Sequence, residues 1–151
     1  MNFFKKIYYL FLPLFLGGIT GLIISKNIDY TSLNQPPLAP PKIIFPIMWS
    51  ILYLLMGIAF YIYKKNNYSE KDIDTTYYIQ LFFNLLWPII FFVLKLRFIA
   101  IIWILLLLFY IIKLLRKIKE VNKTSYYLLL PYLIWTIFAT YLNIGIYILN
   151  R

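Results

Sequence analysis

The sequence predicts an all-α integral membrane protein, a bundle of five transmembrane helices, and three observations carry that prediction. Of 151 residues, 63% are hydrophobic and only 13% charged, with a mean hydropathy of +0.79. Soluble domains run nearer half apolar and a quarter charged. Five stretches, roughly 7–25, 43–63, 77–94, 98–115 and 126–149, are long enough to cross a bilayer, which takes about 20 apolar residues. No Asp or Glu falls inside these cores, as expected where a charge at a helix centre costs about 2.5–3.5 kcal/mol.

The first span follows Lys5 and Lys6. Its apolar run is longer than a signal segment needs and no small-x-small cleavage site follows, so it reads as a retained helix. Gly17 and Gly21 stand four apart with Gly18 beside them. This spacing lets backbones approach closely in lipid, either within the bundle or as a homodimer seam through Gly17 and Gly21.

The connector at about 26–42 leads into QPPLAPPKIIFPIMW, residues 35–49, which holds five prolines. Proline fixes φ near −65° and pushes the preceding residue toward extended conformations. Two Pro-Pro pairs therefore make a stiff connector with little entropy to lose on ordering. The expectation is a lid formed by Tyr30, Pro36, Pro37, Leu38, Ala39, Pro40, Pro41 and Lys42. The second span places Trp49, Tyr53 and Met56 on one face, with Trp49 where such a lid would meet a pocket.

After the second span, KKNNYSEKD reads as a solvated loop. In the third span Gln80, Asn84 and Trp87 fall at i, i+4 and i+7, a single stripe. The connector Lys95–Arg97 is so short that spans three and four must be antiparallel neighbours. Trp103 in span four has no polar stripe around it and reads as an interfacial or lipid-facing residue. Span five carries Trp135, Ala139, Leu142 and Asn143 at i, i+4, i+7 and i+8. Primary amides facing lipid would be costly, so Gln80, Asn84 and Asn143 should face inward. They serve there either as glue between helices or as the few donors of an apolar pocket. Pro88 and Pro131 each remove a backbone donor and either kink their helices beside the stripes or sit harmlessly in a first turn.

The net charge of +10 is topological. One side of the membrane would carry Lys5, Lys6, Lys64, Lys65, Lys71, Lys113, Arg116, Lys117, Lys119 and Lys123. The other would carry only Lys26, Lys42, Lys95, Arg97 and Arg151. The positive-inside rule then puts the N-terminus in the cytoplasm and the proline-rich connector outside. No basic face gathers these charges, which excludes a nucleic-acid role. No repeat or long linker divides the chain, so 1–151 reads as a single domain. With no His and no Cys, zinc, His-ligated haem and thiolate metal sites are excluded, along with His-based catalysis.

Three runs, PPLAPPKIIFPIMWSILYLLMGIA (36–59), QLFFNLLW (80–87) and LLPYLIWTIFATYLN (129–143), resemble the signature of the translocator protein / tryptophan-rich sensory protein family (TspO/MBR, the peripheral-type benzodiazepine receptor family). The resemblance spans three helices in the family's order. It implies a five-helix bundle, commonly dimeric, that binds porphyrins and in some members sterols and benzodiazepine-type drugs. By position it implies pocket roles for Trp49, Asn84, Trp87, Trp135, Ala139, Leu142 and Asn143. The chain departs from the family at Leu38, where many members carry an aromatic, and at Tyr30, which stands alone where members often have a pair. A sterol-recognition pattern reads as Leu142, Tyr147 and Arg151, a weak motif by nature.

The expected function is therefore that of a multi-pass receptor or translocator-like protein in a bacterial cell membrane. It would hold a porphyrin such as protoporphyrin IX, or a similar hydrophobic ligand, with no cofactor required. The rings of Trp49, Trp87 and Trp135 would stack on it, and Lys42 would meet a propionate. The alternative is a light-dependent porphyrin-degrading enzyme working through Trp49 and Trp135, since ordinary acid–base or nucleophilic groups are missing from the spans. An ion-coupled transporter ranks last, because the spans hold no mid-membrane carboxylate and show no inverted repeat.

Overall fold

A computed structural model describes residues 1–65 and 68–151. It shows five long helices: α1 (Phe3–Ile24), α2 (Ile44–Lys64), α3 (Lys71–Pro88), α4 (Arg97–Val121) and α5 (Lys123–Asn150). Each is long and apolar enough to cross a membrane, α3 together with the turn that follows it. The five expected spans are all present, but the helices overrun them. α3 begins six residues before 77, α4 ends six after 115, and the connector between α4 and α5 shrinks to Asn122. Hydropathy marks only the hydrocarbon-facing part of a helix, whereas the backbone ladder continues wherever its donors stay paired.

Local chemistry explains the new ends. The Asn2 side chain accepts from the Lys5 amide at 2.8 Å, and Asn122 accepts from the Ser125 amide at 2.9 Å, each filling an orphan donor of a helix start. Asp72 and Asp74, expected in a connector, lie in the first turn of α3, where carboxylates complement the helix dipole. Asp74 accepts from Lys64 at 2.6 Å and from the Tyr63 hydroxyl at 2.8 Å, and Asp72 pairs with Lys117. Glu120 likewise belongs to the last turn of α4. The expected solvated loop is thus shorter than KKNNYSEKD, and its Asn66 and Asn67 lie outside the described residues.

Side-by-side contacts run α1–α2, α2–α5, α5–α4, α4–α3 and α3–α1, so the helices close into a ring. α1 and α2 touch backbone to backbone. A Cβ on Gly57 would land on the Leu10 carbonyl oxygen. Pro13, inside α1, has no N–H to give the neighbouring Tyr9 carbonyl. Gly17 is spent inside the bundle, because a Cβ there would overlap the Tyr53 ring. Gly18 and Gly21 have open space at that position.

The ring is filled unevenly. Toward the N-terminal end of α1, Phe60 stacks on Tyr77 with centroids 3.7 Å apart, Tyr9 meets Phe60 edge-on, and Ile73 and Ile118 are fully buried beside them. The Ser125 hydroxyl donates to the Ala59 carbonyl at 2.7 Å, locking α5 to α2 at this solid end. The opposite end is hollow.

Two expectations change here. Trp103 is half-buried in the α3–α4 seam, its ring 4.5 Å from Phe83 and its Nε1–H donating to the Phe83 carbonyl at 2.8 Å. An indole N–H that finds a backbone carbonyl to donate to outweighs a purely lipid-facing placement. Pro131 sits well inside α5, not in a first turn, and its ring is exposed on the outer surface.

Candidate ligand cavity

Pro88 reshapes the cavity-side end of α3. Lacking an N–H, it leaves the Asn84 carbonyl without its helical donor. The next turn, Ile89–Val93, widens into a π-helical turn closed by Leu94 N–H to the Ile89 carbonyl at 3.0 Å. Such turns appear mostly as single insertions, often at functional sites. The widening swings Phe91 and Phe92 into the ring.

Beside that turn lies a cavity of about 620 Å³, within the range of small-molecule sites. Its walls come from α1 (Leu14, Gly17, Gly18, Thr20, Gly21, Ile24), α2 (Phe45, Pro46, Trp49, Ser50, Tyr53), α3 with its π turn (Asn84, Trp87, Pro88, Phe91, Phe92) and α5 (Ala139, Leu142, Asn143, Ile146). Seven of the nine expected site residues converge on it: Trp49, Tyr53, Asn84, Trp87, Ala139, Leu142 and Asn143. Trp49 stands 5.9 Å from Tyr53 and 6.4 Å from Trp135, centroid to centroid.

Gln80 and Trp135 do not reach the hollow. Gln80 is wholly buried one helical turn below it, its Nε2 donating to the Tyr77 carbonyl at 2.9 Å and its Oε1 accepting from Tyr132 at 2.7 Å. Periodicity gave its direction correctly, but at its level in the bundle Tyr132 fills the space. Trp135 stands behind Trp49, edge-on to it and to Phe45 at 6.0 Å, with a buried Nε1–H that has no partner among the described residues. It positions Trp49 rather than facing a ligand in this state.

The amides do both jobs the sequence left open. Tyr53 donates to Asn84 Oδ1 at 2.6 Å, and Asn84 Nδ2 donates to Tyr132 Oη at 2.8 Å. Trp87 Nε1–H donates to Asn143 Oδ1 at 3.0 Å, and Asn143 Nδ2 donates to the Arg97 carbonyl at 3.2 Å. Both amides thus glue helices while bordering the cavity. Satisfied polar groups of this kind fix a single arrangement.

The lid divides in two. Of the residues expected there, Tyr30 and Lys42 border the cavity, joined by Ser25 and Ile28. Pro36, Pro37, Leu38, Ala39, Pro40 and Pro41 do not; this stretch runs along the C-terminal end of α5. Pro36 fits against Gly145, where a Cβ would come within 2.7 Å of its ring, and Tyr141 donates to the Pro37 carbonyl at 2.6 Å. Asn34 and Asn150 exchange hydrogen bonds at 2.9 and 2.8 Å. Leu38 points outward at a positive φ of 70°. The proline stiffness therefore makes a brace, and the cover is Ser25–Tyr30. Tyr30 joins the halves by donating to the Pro40 carbonyl at 2.7 Å and packing edge-on to Phe45 at 4.9 Å. Burial pushes its hydroxyl pKa up, so it stays a donor.

Sequence reasoning missed the α1 wall, Tyr132, and the ion pair between Arg97 and Asp29. The glycines of α1 did signal close approach, although a bare stripe also reads as an interface. The sterol pattern does not form one surface, since Leu142 is buried against the cavity while Tyr147 and Arg151 border a separate cleft beside Phe98.

Residues 9–149 match the model of the TspO/MBR family. The chain is 33% identical over 153 residues to the tryptophan-rich protein TspO of Archaeoglobus fulgidus, covering 99% of each. It is 31% identical to the tryptophan-rich sensory protein of Cereibacter sphaeroides, over 82% of this chain and 78% of that one. It is also 31% identical to the translocator protein of Bos taurus, over 85% and 80%. A match across nearly all five helices makes this chain a member of the TspO/MBR family.

Proposed function

We propose that this membrane protein binds a flat, hydrophobic tetrapyrrole such as protoporphyrin IX in the cavity, sequestering it or handing it on. One observation carries the reading: a mostly apolar hollow of about 620 Å³ walled by Trp49, Tyr53, Trp87, Phe91 and Phe92. Aromatic walls match a flat conjugated ring. Lys42, at the rim, is placed to meet a carboxylate at the ligand's edge. The positive-inside balance supports an orientation with the N-terminus cytoplasmic and the cover outside.

The test is quenching of intrinsic tryptophan fluorescence by protoporphyrin IX in purified, detergent-solubilised protein. Saturable quenching that weakens with Trp49→Phe is the expected result. A linear response, identical in the variant, would overturn the proposal.

The second reading, light-dependent degradation of the bound porphyrin, draws on Trp49 with Trp135 6.4 Å away. It predicts loss of the porphyrin spectrum only under illumination and slower loss in Trp135→Phe. Bleaching equal to that of free porphyrin would exclude it.

A further inference from the structure

Among the described residues, one charged tie holds the cover over the cavity. Arg97, the first residue of α4, directs Nη2 onto both carboxylate oxygens of Asp29, at 2.8 and 2.7 Å. The two side chains are only 15% and 23% exposed. The guanidinium lies 5.0 Å from the centroid of Phe91, a wall of the cavity. Asp29 directly precedes Tyr30 and is one residue from Ile28, both of which border the hollow.

We propose that Arg97 is the positioning residue of the cover, and that the Asp29–Arg97 clamp sets how fast ligand enters and leaves. The proline brace is secured separately, by neutral and mostly exposed hydrogen bonds from Asn34, Tyr141 and Asn150 to or from α5 and the brace backbone. Charge-assisted hydrogen bonds are roughly twice as strong as neutral ones. A pair this sheltered is screened little by salt. The clamp therefore governs the cavity-facing half, while the brace keeps the other half in place when the clamp opens.

The clamp is also wired to the cavity wall. Asn143 receives the Trp87 indole N–H and donates to the Arg97 carbonyl, so a ligand that shifts Trp87 pulls on the residue that holds Asp29. The kinetic part of this inference rests on the ligand-binding reading; the structural part does not.

The experiment compares wild type with Arg97→Ala, Asp29→Asn and Arg97→Lys in two measurements. Hydrogen exchange on the ligand-free protein follows the Asn27, Ser32 and Leu33 amides, which donate to Ile24, Asp29 and Tyr30 carbonyls. Roughly tenfold faster exchange at these amides in both Arg97→Ala and Asp29→Asn is expected, a factor carried by about 1.4 kcal/mol. Arg97→Lys should recover part of the protection, since it keeps the charge and loses the planar fork. Wild-type exchange in all three variants would overturn the clamp. Stopped-flow quenching by protoporphyrin IX should show association and dissociation both accelerated, roughly tenfold, with Kd within about threefold of wild type. A Kd raised more than tenfold at unchanged association rate would instead make Arg97 a ligand contact and overturn its positioning role. If wild type takes up no porphyrin, the functional reading falls, and the exchange result alone decides the clamp.

Discussion

At the scale of single residues, the decisive feature is that the cavity's amides are already engaged. Tyr132 is the hub: wholly buried, it donates to Gln80 and accepts from Asn84. Removing its hydroxyl leaves two buried amides short of a partner, at about 1–3 kcal/mol per group. Tyr132→Phe should therefore lower the Tm measured in detergent and weaken porphyrin binding, although Tyr132 does not touch the cavity. Trp49→Phe is expected to keep the fold and weaken binding about three- to tenfold, since aromatic contacts contribute about 0.5–1.5 kcal/mol beyond area. Tyr30 sets a pH window. Its pKa is raised in the folded state, so its stabilising contribution is complete below the ordinary tyrosine value near about 10 and fades as pH rises through the higher folded value. Exchange protection at Leu33, whose amide donates to the Tyr30 carbonyl at 3.3 Å, should be flat between about pH 6 and 9 after correction for intrinsic rates and fall only above about pH 10.

At the scale of elements, glycine and proline shape the ring. Gly57 lets α1 and α2 meet at the Leu10 carbonyl, so Gly57→Ala must push two backbones apart. A loss of about 1–3 kcal/mol is expected from such overpacking, read as a lower Tm. Gly18→Ala, with open space at its Cβ, should leave the Tm within a degree or two of wild type, the size of a surface change of about 0.5 kcal/mol. Much of this level was legible in the sequence. Long apolar runs announced the helices, and proline announced an interruption near 88. The π turn itself was not legible, because it depends on where the freed carbonyls find donors. Nor was the division of the connector. Proline content reports stiffness, but whether a stiff segment covers a cavity or braces a helix depends on what lies beneath it, here Gly145.

At the scale of the whole molecule, one end of the ring is solid and the other hollow. Bound ligand stabilises the state that binds it, by about 2.7 kcal/mol at a hundredfold excess over Kd. Saturating porphyrin should raise the Tm, and the added exchange protection should concentrate in the cover, the π turn, the C-terminal half of α1 and the N-terminal half of α2. The stacked Phe60–Tyr77 end should change little, since it already lacks free volume. Protection spread evenly over both ends would argue against a ligand lodged in the hollow.

The sequence by itself determined the membrane class, the number of spans and the inward direction of the amide and tryptophan stripes. Those follow from composition and from the 3.6-residue period, which depend only on local chemistry. Tertiary structure decided the rest: that Asn84 and Trp87 meet empty space while Gln80 meets Tyr132, that Trp135 backs Trp49, and that α1 closes the fourth wall. A helical period gives an angle about an axis. It gives neither the height of each residue within the bundle nor the side chain that a neighbouring helix presents at that height, and these two quantities separate a cavity from a core.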